Sequence, residues 1–418
     1  MTDYNTIHKR IYDKKWNFKD GSMKDLVHGL HPYPAMMMPL IARTMFEKYG
    51  KGKETIFMDP YVGSGTTIVE AQRYGVSQAI GIDLNPLAIL ISKVKTQNIN
   101  LILLKSKIDS YDDFIKNVRY CTAPEFSIRD SWFSKQVIDD LAKIKEFVST
   151  IEEEGLRDFF NMSFSEVIRA SSETRNGEFK LYRMSKKSLA KFNPQPIKMF
   201  SDVILRNYEI LKKADYDRNT NVILLNENTI NLINHKNFSN KVDLIITSPP
   251  YGDSHTTVAY GQFSRLANEW LGVKNACSLD KQLLGGTRVK EKKFNIQELD
   301  EAIQMIKEKD VVFNRDRYWE VISFYDDYEK SLKAVACTVK VGGYVIYVVG
   351  NRRVRNIELP MDIITYKMFE KMGFEHIITH VRDILNKRMP SKASPSNEKG
   401  EQIPTMTNEY IVVMKRIK

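Results

Sequence analysis

Two short segments of the 418-residue chain hold residue types at spacings that could do chemistry. The first is DPYVGSGTT, residues 59–67, in which Gly63 and Gly65 permit a tight turn and close approach of backbone to a ligand. The N–H groups of a helix that follows such a turn favour anionic or polar groups. A dinucleotide fingerprint would need a third glycine where Ile68 stands, and no GxxxxGK[ST] run occurs, which disfavours NAD and a P-loop ATP site. Asp83 follows Gly65 by 18 residues, at the end of the next strand-like run, where a carboxylate can accept hydrogen bonds from both hydroxyls of a ribose. An adenosine-containing ligand suits that pair; a packing turn, with Asp83 capping the helix after Pro86, is the plainer alternative. The second segment is TSPPY, residues 247–251, closing the apolar run VDLIIT. Pro249 and Pro250 have no N–H to donate, so their carbonyls stand as rigid acceptors suited to an exocyclic amine. Ser248 adds a hydroxyl, and Tyr251 offers a face on which an extruded base could stack. Standing alone, the segment would read as a rigid turn with a packing tyrosine.

The elements around both segments alternate. Ile56–Met58 reads as a strand running into the glycine turn, TTIVEAQRYG as a helix, QAIGIDLN as a second strand and LAILISKVK after Pro86 as a second helix. NVILLN and KVDLIITSPPY suit central strands of a sheet covered on both faces. FYDDYEKSLKAVACTVK predicts a helix, GGYVIYVVGN a strand, PMDIITYKMFEKMG a helix, and FEHIITHVRD and NEYIVVMKR two more strands. Upstream, Pro39 and Gly50 bracket a further helix. A mostly parallel α/β sheet follows, and ligands of open parallel sheets bind at the carboxyl edge, where TSPPY lies. Two stretches break the rhythm. Residues 101–218 are helical and charged, and about 265–320 reads as a smaller, irregular insertion. The catalytic part is thereby divided into 1–100 and 219–418. Residues 386–405 are polar and predict a loop.

At this point the sequence resembles the S-adenosylmethionine-dependent DNA amino-methyltransferases. DPYVGSGTT is similar to their motif I, IGIDLN to motif II, TSPPY to motif IV, and HPYPAMM to the motif X segment that closes the methionine end of the cofactor pocket. The resemblance implies a Rossmann-like class I methyltransferase fold with a seven-stranded sheet. It also implies that His31, Tyr33, Asp59, Tyr61, Gly63, Gly65, Thr66, Thr67, Asp83 and Asn85 surround S-adenosylmethionine, with Asp83 on the ribose. An Asp usually follows the third strand of that core; in NVILLNENT, Asn226 or Asn228 takes its place. Ser248, Pro249, Pro250 and Tyr251 become the catalytic segment, and a leading Ser is typical of cytosine-N4 enzymes, where Asp or Asn is typical of adenine-N6 enzymes. The order X, I, long insertion, IV is similar to the family's alpha arrangement, in which that insertion recognises the target. The motif X pattern departs in carrying Met36 and Met37 where Lys and Phe often stand.

Lys and Arg number 63 against 52 Asp and Glu, a net charge of +11 that favours a polyanionic partner. The segment 179–198 concentrates Lys180, Arg183, Lys186, Lys187, Lys191 and Lys198 among aromatics with no acid, a candidate phosphate-contact strip or a solvated face. His255, Tyr260 and Arg265, shortly after TSPPY, could meet the extruded base or its strand, and Arg352, Arg353 and Arg355 could meet phosphates or form a solvated turn. Duplex DNA is the expected partner, with an RNA base methyltransferase, an adenine-N6 enzyme and a non-catalytic DNA-binding subunit as the alternatives. A carbon-5 cytosine enzyme needs a nucleophilic Cys after Pro; Tyr120, Ala276 and Ala336 precede the three cysteines here. Those scattered cysteines predict neither disulfides nor zinc, and place the chain in a reducing cytosol. No metal and no membrane span is expected. No cluster of carboxylates with Lys reads as a nuclease, so cleavage would belong to a separate restriction endonuclease.

Overall fold

The computed structural model describes residues 4–175, 177, 179–214, 219–252, 258–313, 316–384, 392–393, 403–404 and 406–418. The apolar runs form one sheet, and their period-two alternation divides them between two cores. On β2 (Ile56–Asp59) and β5 (Val242–Thr247), Met58 and Ile245 face one helical layer while Phe57, Leu244 and Ile246 face the other. The first layer holds α9 (Gln297–Phe313), α10 (Arg317–Ala336) and α11 (Met361–Glu370). The second holds α1 (Pro39–Tyr49), with Pro39 in its first turn and Gly50 at its C-cap, and α2 (Thr66–Tyr74). Both faces being covered, every residue of VDLIIT is buried.

The remaining strands are β1 (Arg10–Tyr12), β3 (Gln78–Ile82), β4 (Asn221–Leu225), β6 (Val339–Val349), β7 (Phe374–Asp383) and β8 (Asn408–Arg416). Their order across the sheet is β1-β7-β8-β6-β5-β2-β3-β4, and β8 alone runs antiparallel to its neighbours. The architecture is the α/β one expected, with eight strands rather than seven. The extra strand, β1, joins the edge in register Arg10↔Thr379 to Tyr12↔Val381. It lacks an apolar run that would announce it. Its anchor is polar: the Arg10 guanidinium donates to both oxygens of the buried Asp362, at 2.7 and 2.8 Å.

A second correction concerns the stretch about 265–320. It is irregular only between Trp270 and Gln297; on either side it contains the rest of α8 (Tyr260–Trp270), all of α9 and the start of α10. Leu299, Ile303 and Ile306 of α9 are buried against the sheet's first layer, a helical spacing that the neighbouring Lys and Glu residues mask in sequence. The polar loop 386–405 lies almost entirely outside the described residues; Lys392–Ala393 pairs antiparallel with Ile403–Pro404.

The long insertion interrupts the crossover from β3 to β4, which pair in parallel. After α3 (Pro86–Thr96) come α4 (Leu101–Asn117), α5 (Lys135–Ser149), α6 (Glu154–Ser171) and α7 (Pro196–Lys213). Their apolar faces share one core with Leu87, Ile91 and Val94 of α3 and Leu266 and Trp270 of α8. Trp270 meets Phe126, Phe133 and Phe164 of the insertion edge-on, with ring centroids 5.9 to 6.2 Å apart. The helices are therefore welded to the sheet's own helices. No described helix is long and apolar enough to cross a membrane.

Trp270→Ala should cost about 3–5 kcal/mol of unfolding free energy, read from urea denaturation, because it removes a fully buried indole from that shared core. A loss under about 1 kcal/mol would show that the insertion holds to the sheet by other contacts.

Candidate active site

Parallel strands aligned side by side bring their carboxyl ends to one edge, and there β2, β3, β4 and β5 open on a common cavity. The turn after β2 contributes Asp59, Pro60, Tyr61, Val62, Gly63 and Ser64, and the start of α2 adds Thr66 and Thr67. The ends of β3 and β4 supply Asp83, Leu84 and Asn85, then Glu227, Asn228 and Thr229. From the end of β5 come Ser248 and Pro250. Tyr33, Pro34, Ala35, Met36 and Met37 close one side, and Tyr260 with Gln282, Leu283 and Leu284 another.

The turn depends on its glycines in two different ways. Gly63 lies at φ +49°, where a Cβ would have nothing nearer than 3.8 Å and would project toward Tyr33, partly filling the cavity. Gly65, at φ +81°, is not in the cavity wall; a Cβ there would come within 2.8 Å of Ser92 Oγ and 3.0 Å of its Cα. Its expected place around the ligand is thus corrected. Gly65 lets α2 pack against α3, while the neighbouring Gly63 leaves room for the ligand.

Among the described residues, three carboxylates line the cavity, Asp59, Asp83 and Glu227, and no Lys or Arg does. Asp83 receives backbone N–H groups from Gly63 (2.9 Å) and Asn85 (2.8 Å), one on each oxygen, which fixes the carboxylate and leaves further lone pairs for hydroxyl donors. Burial pushes its carboxyl up to about 6, against the pull of those two N–H groups. Asp59 is also raised to about 6 by burial, opposed by hydrogen bonds from Thr247, Thr67 and the Tyr61 backbone. Glu227 lies 2.7 Å from His235 Nε2. Such a wall disfavours a polyphosphate and favours a cation carrying hydroxyls. S-adenosylmethionine, with its sulfonium, ammonium and ribose, fits the donor and acceptor set: Asp83 for the hydroxyls, the space over Gly63 for close approach, the apolar Leu84, Leu283 and Leu284 for a purine.

Of the residues expected around the ligand, some line the cavity and others stand apart from it. Tyr33, Asp59, Tyr61, Gly63, Thr66, Thr67, Asp83, Asn85 and Asn228 all line the cavity. His31 does not: it is buried with Nε2 3.1 Å from Ser165 Oγ of α6, and burial lowers its pKa to about 3, so it is a neutral strut to the insertion. Asn226 also stands aside, donating to the carbonyls of Asp83 and Leu84 at 3.0 Å. Sequence reasoning passed over Glu227 between two asparagines, although an acid after that strand was the signal sought. It had no means to find Gln282–Leu284, which come from the stretch read as irregular.

Within TSPPY, Ser248 and Pro250 face the cavity, while Pro249 is buried and absent from its wall. Tyr251 is half-buried and held by its phenol. Its phenol bonds Ser248 Oγ (3.0 Å) and donates to Glu409 (3.2 Å), and its ring lies where a Cβ on Gly350 would approach Cδ2 to 2.7 Å. Tyr260, expected at the DNA, instead lines the cavity, its ring stacked on Tyr33 with centroids 6.1 Å apart.

Of the basic residues, Lys186, Lys187 and Lys191 are exposed and Lys180 is half-buried. Arg183 is exposed but committed to Glu173 at 2.5 Å. The strip adjoins the cavity's rim, since the Leu181 N–H donates to Gln262 (3.3 Å), two residues along α8 from Tyr260. Arg265 sits one turn further, 4.0 Å from Glu269 in its own helix and half-buried, so it is not presented outward. Of the later arginines, Arg352 donates to the Gly252 carbonyl (2.8 Å) and the Arg355 side chain is buried against Asp310, while Arg353 is exposed and pairs with the exposed Glu358. His255 lies outside the described residues. Among the described residues, no group of three or more His, Cys, Asp or Glu is arranged to hold a metal ion.

No family model matches the chain. It is 36% identical over 438 aligned residues to the type II methyltransferase M.MvaI of Kocuria varians, covering 98% of this chain and 96% of that one. It is 23% identical to the type II methyltransferase M.BsoBI of Geobacillus stearothermophilus, over 88% of this chain and 82% of that one. A solved structure of the rRNA methyltransferase aviRa from Streptomyces viridochromogenes aligns over 92% of this chain and 88% of that one with 10% identity and a TM-score of 0.30, too loose a superposition to bear on function.

The raised carboxyl of Asp83 predicts a pH dependence for ligand binding. Ribose hydroxyls need the ionised form, so affinity for S-adenosylhomocysteine by calorimetry should level off above about pH 7 and fall by up to about tenfold per unit below about 6. Asp83→Asn should weaken binding at neutral pH by about 10- to 100-fold and flatten that slope, the remainder belonging to Asp59. An unchanged slope in the variant would assign the titration elsewhere.

Proposed function

The chain belongs to the type II methyltransferase family, and from that premise we propose that it transfers the methyl group of S-adenosylmethionine to the exocyclic N4 of cytosine in duplex DNA. The observation that carries this reading is the common wall: Ser248 and Pro250 open on the same cavity as Asp83 and Gly63. A group held by TSPPY and a group held by the glycine turn are thereby brought face to face.

The amino nitrogen of cytosine is a poor nucleophile, because its lone pair is delocalised into the ring. Ser248 Oγ and the Pro249 carbonyl can each accept one of its N–H bonds, which favours the pyramidal form with the lone pair released; the Pro250 carbonyl already accepts from the Gly252 N–H at 3.0 Å. When bound, S-adenosylmethionine supplies a methyl carbon already activated by the positive sulfur. Asp59, Asp83 and Glu227 make the cavity a favourable place for that charge, and Asp83 with Gly63 fixes the ribose so that position is set by binding. The base must leave its stack to reach the cavity. Tyr260, stacked on Tyr33 in the wall, presents an aromatic surface to it beside Tyr251.

The exposed lysines 186, 187 and 191 then contact the DNA backbone beside the rim, and the helical segment 101–218 reads the target sequence. Supporting this reading are the anchorage of the strip to α8 and the net charge of +11. A cognate endonuclease would be a separate protein.

Incubation with duplex DNA of varied sequence and S-adenosylmethionine, followed by mass spectrometry of the nucleosides, is expected to show N4-methylcytosine. Ser248→Ala should lower its rate of formation by about 10²- to 10³-fold. N6-methyladenine in its place would overturn the target atom, and methyl transfer to tRNA with none to DNA would overturn the substrate.

A further inference from the structure

The hydroxyl of Ser248 does not stand alone. Tyr251 donates its only phenolic proton to Glu409 Oε1 at 3.2 Å, so in the 3.0 Å contact with Ser248 the serine must be the donor. Ser248 therefore has its proton turned away from the cavity and its lone pairs left for an incoming N–H. Glu409 is brought to this place by topology. Because β8 runs antiparallel between β6 and β7, its first residues reach the carboxyl edge of the parallel strands, with Glu409 opposite Arg382 and Tyr410 opposite Val349. Arg382, 5% exposed, lies 3.3 Å from the Glu409 carboxylate.

We propose that Glu409 is a positioning residue for the methyl transfer, acting on Ser248 through the Tyr251 phenol and serving as the terminus for the proton that the amine sheds. The inference rests on the reading of Ser248 as the acceptor of the substrate amine. The step balances. The nitrogen lone pair forms the N–C bond while the C–S pair goes to sulfur; the excess amine proton passes to Ser248 Oγ, the serine proton to Tyr251 Oη, and the phenolic proton to the Glu409 carboxylate. Burial raises the carboxyl of Glu409, which makes it a better acceptor, while Arg382 and the Tyr251 hydrogen bond oppose that rise and favour the ionised form before reaction. Its side chain remains 20% exposed, which gives the proton an exit to solvent.

The test is single-turnover methylation by the full chain, with dissociation constants for S-adenosylmethionine and DNA measured alongside. Glu409→Gln keeps an acceptor for Tyr251 but removes the charge and the basicity, and Tyr251→Phe breaks the chain at its middle. Each should lower the single-turnover rate by about 10- to 100-fold with both dissociation constants within about threefold of the original. The double variant should be no slower than the slower single one, because both changes sever the same connection. Tyr251→Phe decides the matter even if Glu409→Gln folds poorly. Rates at the original level in Tyr251→Phe, multiplicative losses in the double variant, or losses confined to the dissociation constants would each overturn the inference. If Ser248→Ala is itself fully active, the reading beneath the inference has failed; if Ser248→Ala is slow and Tyr251→Phe is not, only the inference has.

Discussion

One buried carboxylate, that of Asp59, fixes the distance on which the rest of the site depends. It ends β2, and its Oδ1 accepts from Thr247 Oγ1 (2.5 Å), the last residue of β5, and from the Tyr61 N–H (3.0 Å). Its Oδ2 accepts from Thr67 in the first turn of α2. The strand before the glycine turn, the helix after it and the strand that delivers Ser248 are thus held by a single group. A buried carboxylate stripped of such donors would cost several kcal/mol, so the arrangement is strongly specified. The separation between the glycine turn and Ser248 is in consequence set by the ends of two neighbouring strands.

Charge is distributed with equal economy. The chain as a whole carries +11, yet among the described residues the cavity is lined by three carboxylates and by no Lys or Arg. A polyanion is drawn to the outer surface while the cavity itself attracts a cation. The two kinds of ligand therefore do not compete for one place, although the lysine strip and the cavity wall are joined through α8.

Most of the fold was legible because it is written in apolar runs. VDLIIT and the Val345–Val349 end of β6 are strands buried on both faces, whereas NVILL, expected to be a central strand, is the half-buried edge strand β4. The elements that escaped are those whose reason is polar or remote: β1, held by Arg10 on Asp362, and α9, whose buried Leu299, Ile303 and Ile306 are spaced among charges. The site was legible where backbone geometry dictates residue type, as at Gly63, Asp83 and Ser248. It failed where two residues of suitable type compete for one role. Gly65 packs against Ser92 while Gly63 lines the cavity, Glu227 lines it where Asn226 stands aside, and Tyr260 lines it beside Tyr33. Those choices are made by side-chain direction, which a linear pattern does not encode.

The insertion leaves and rejoins the sheet between two strands that are immediate neighbours. Its length is therefore invisible to the hydrogen-bond ladder, and the catalytic frame places no ceiling on how large that segment becomes. What the frame does impose is a socket, formed by Leu87, Ile91 and Val94 on one helix and Leu266 and Trp270 on another. Any replacement segment that brings a matching apolar face could be seated there, and the same frame would then serve as a chassis for interchangeable heads.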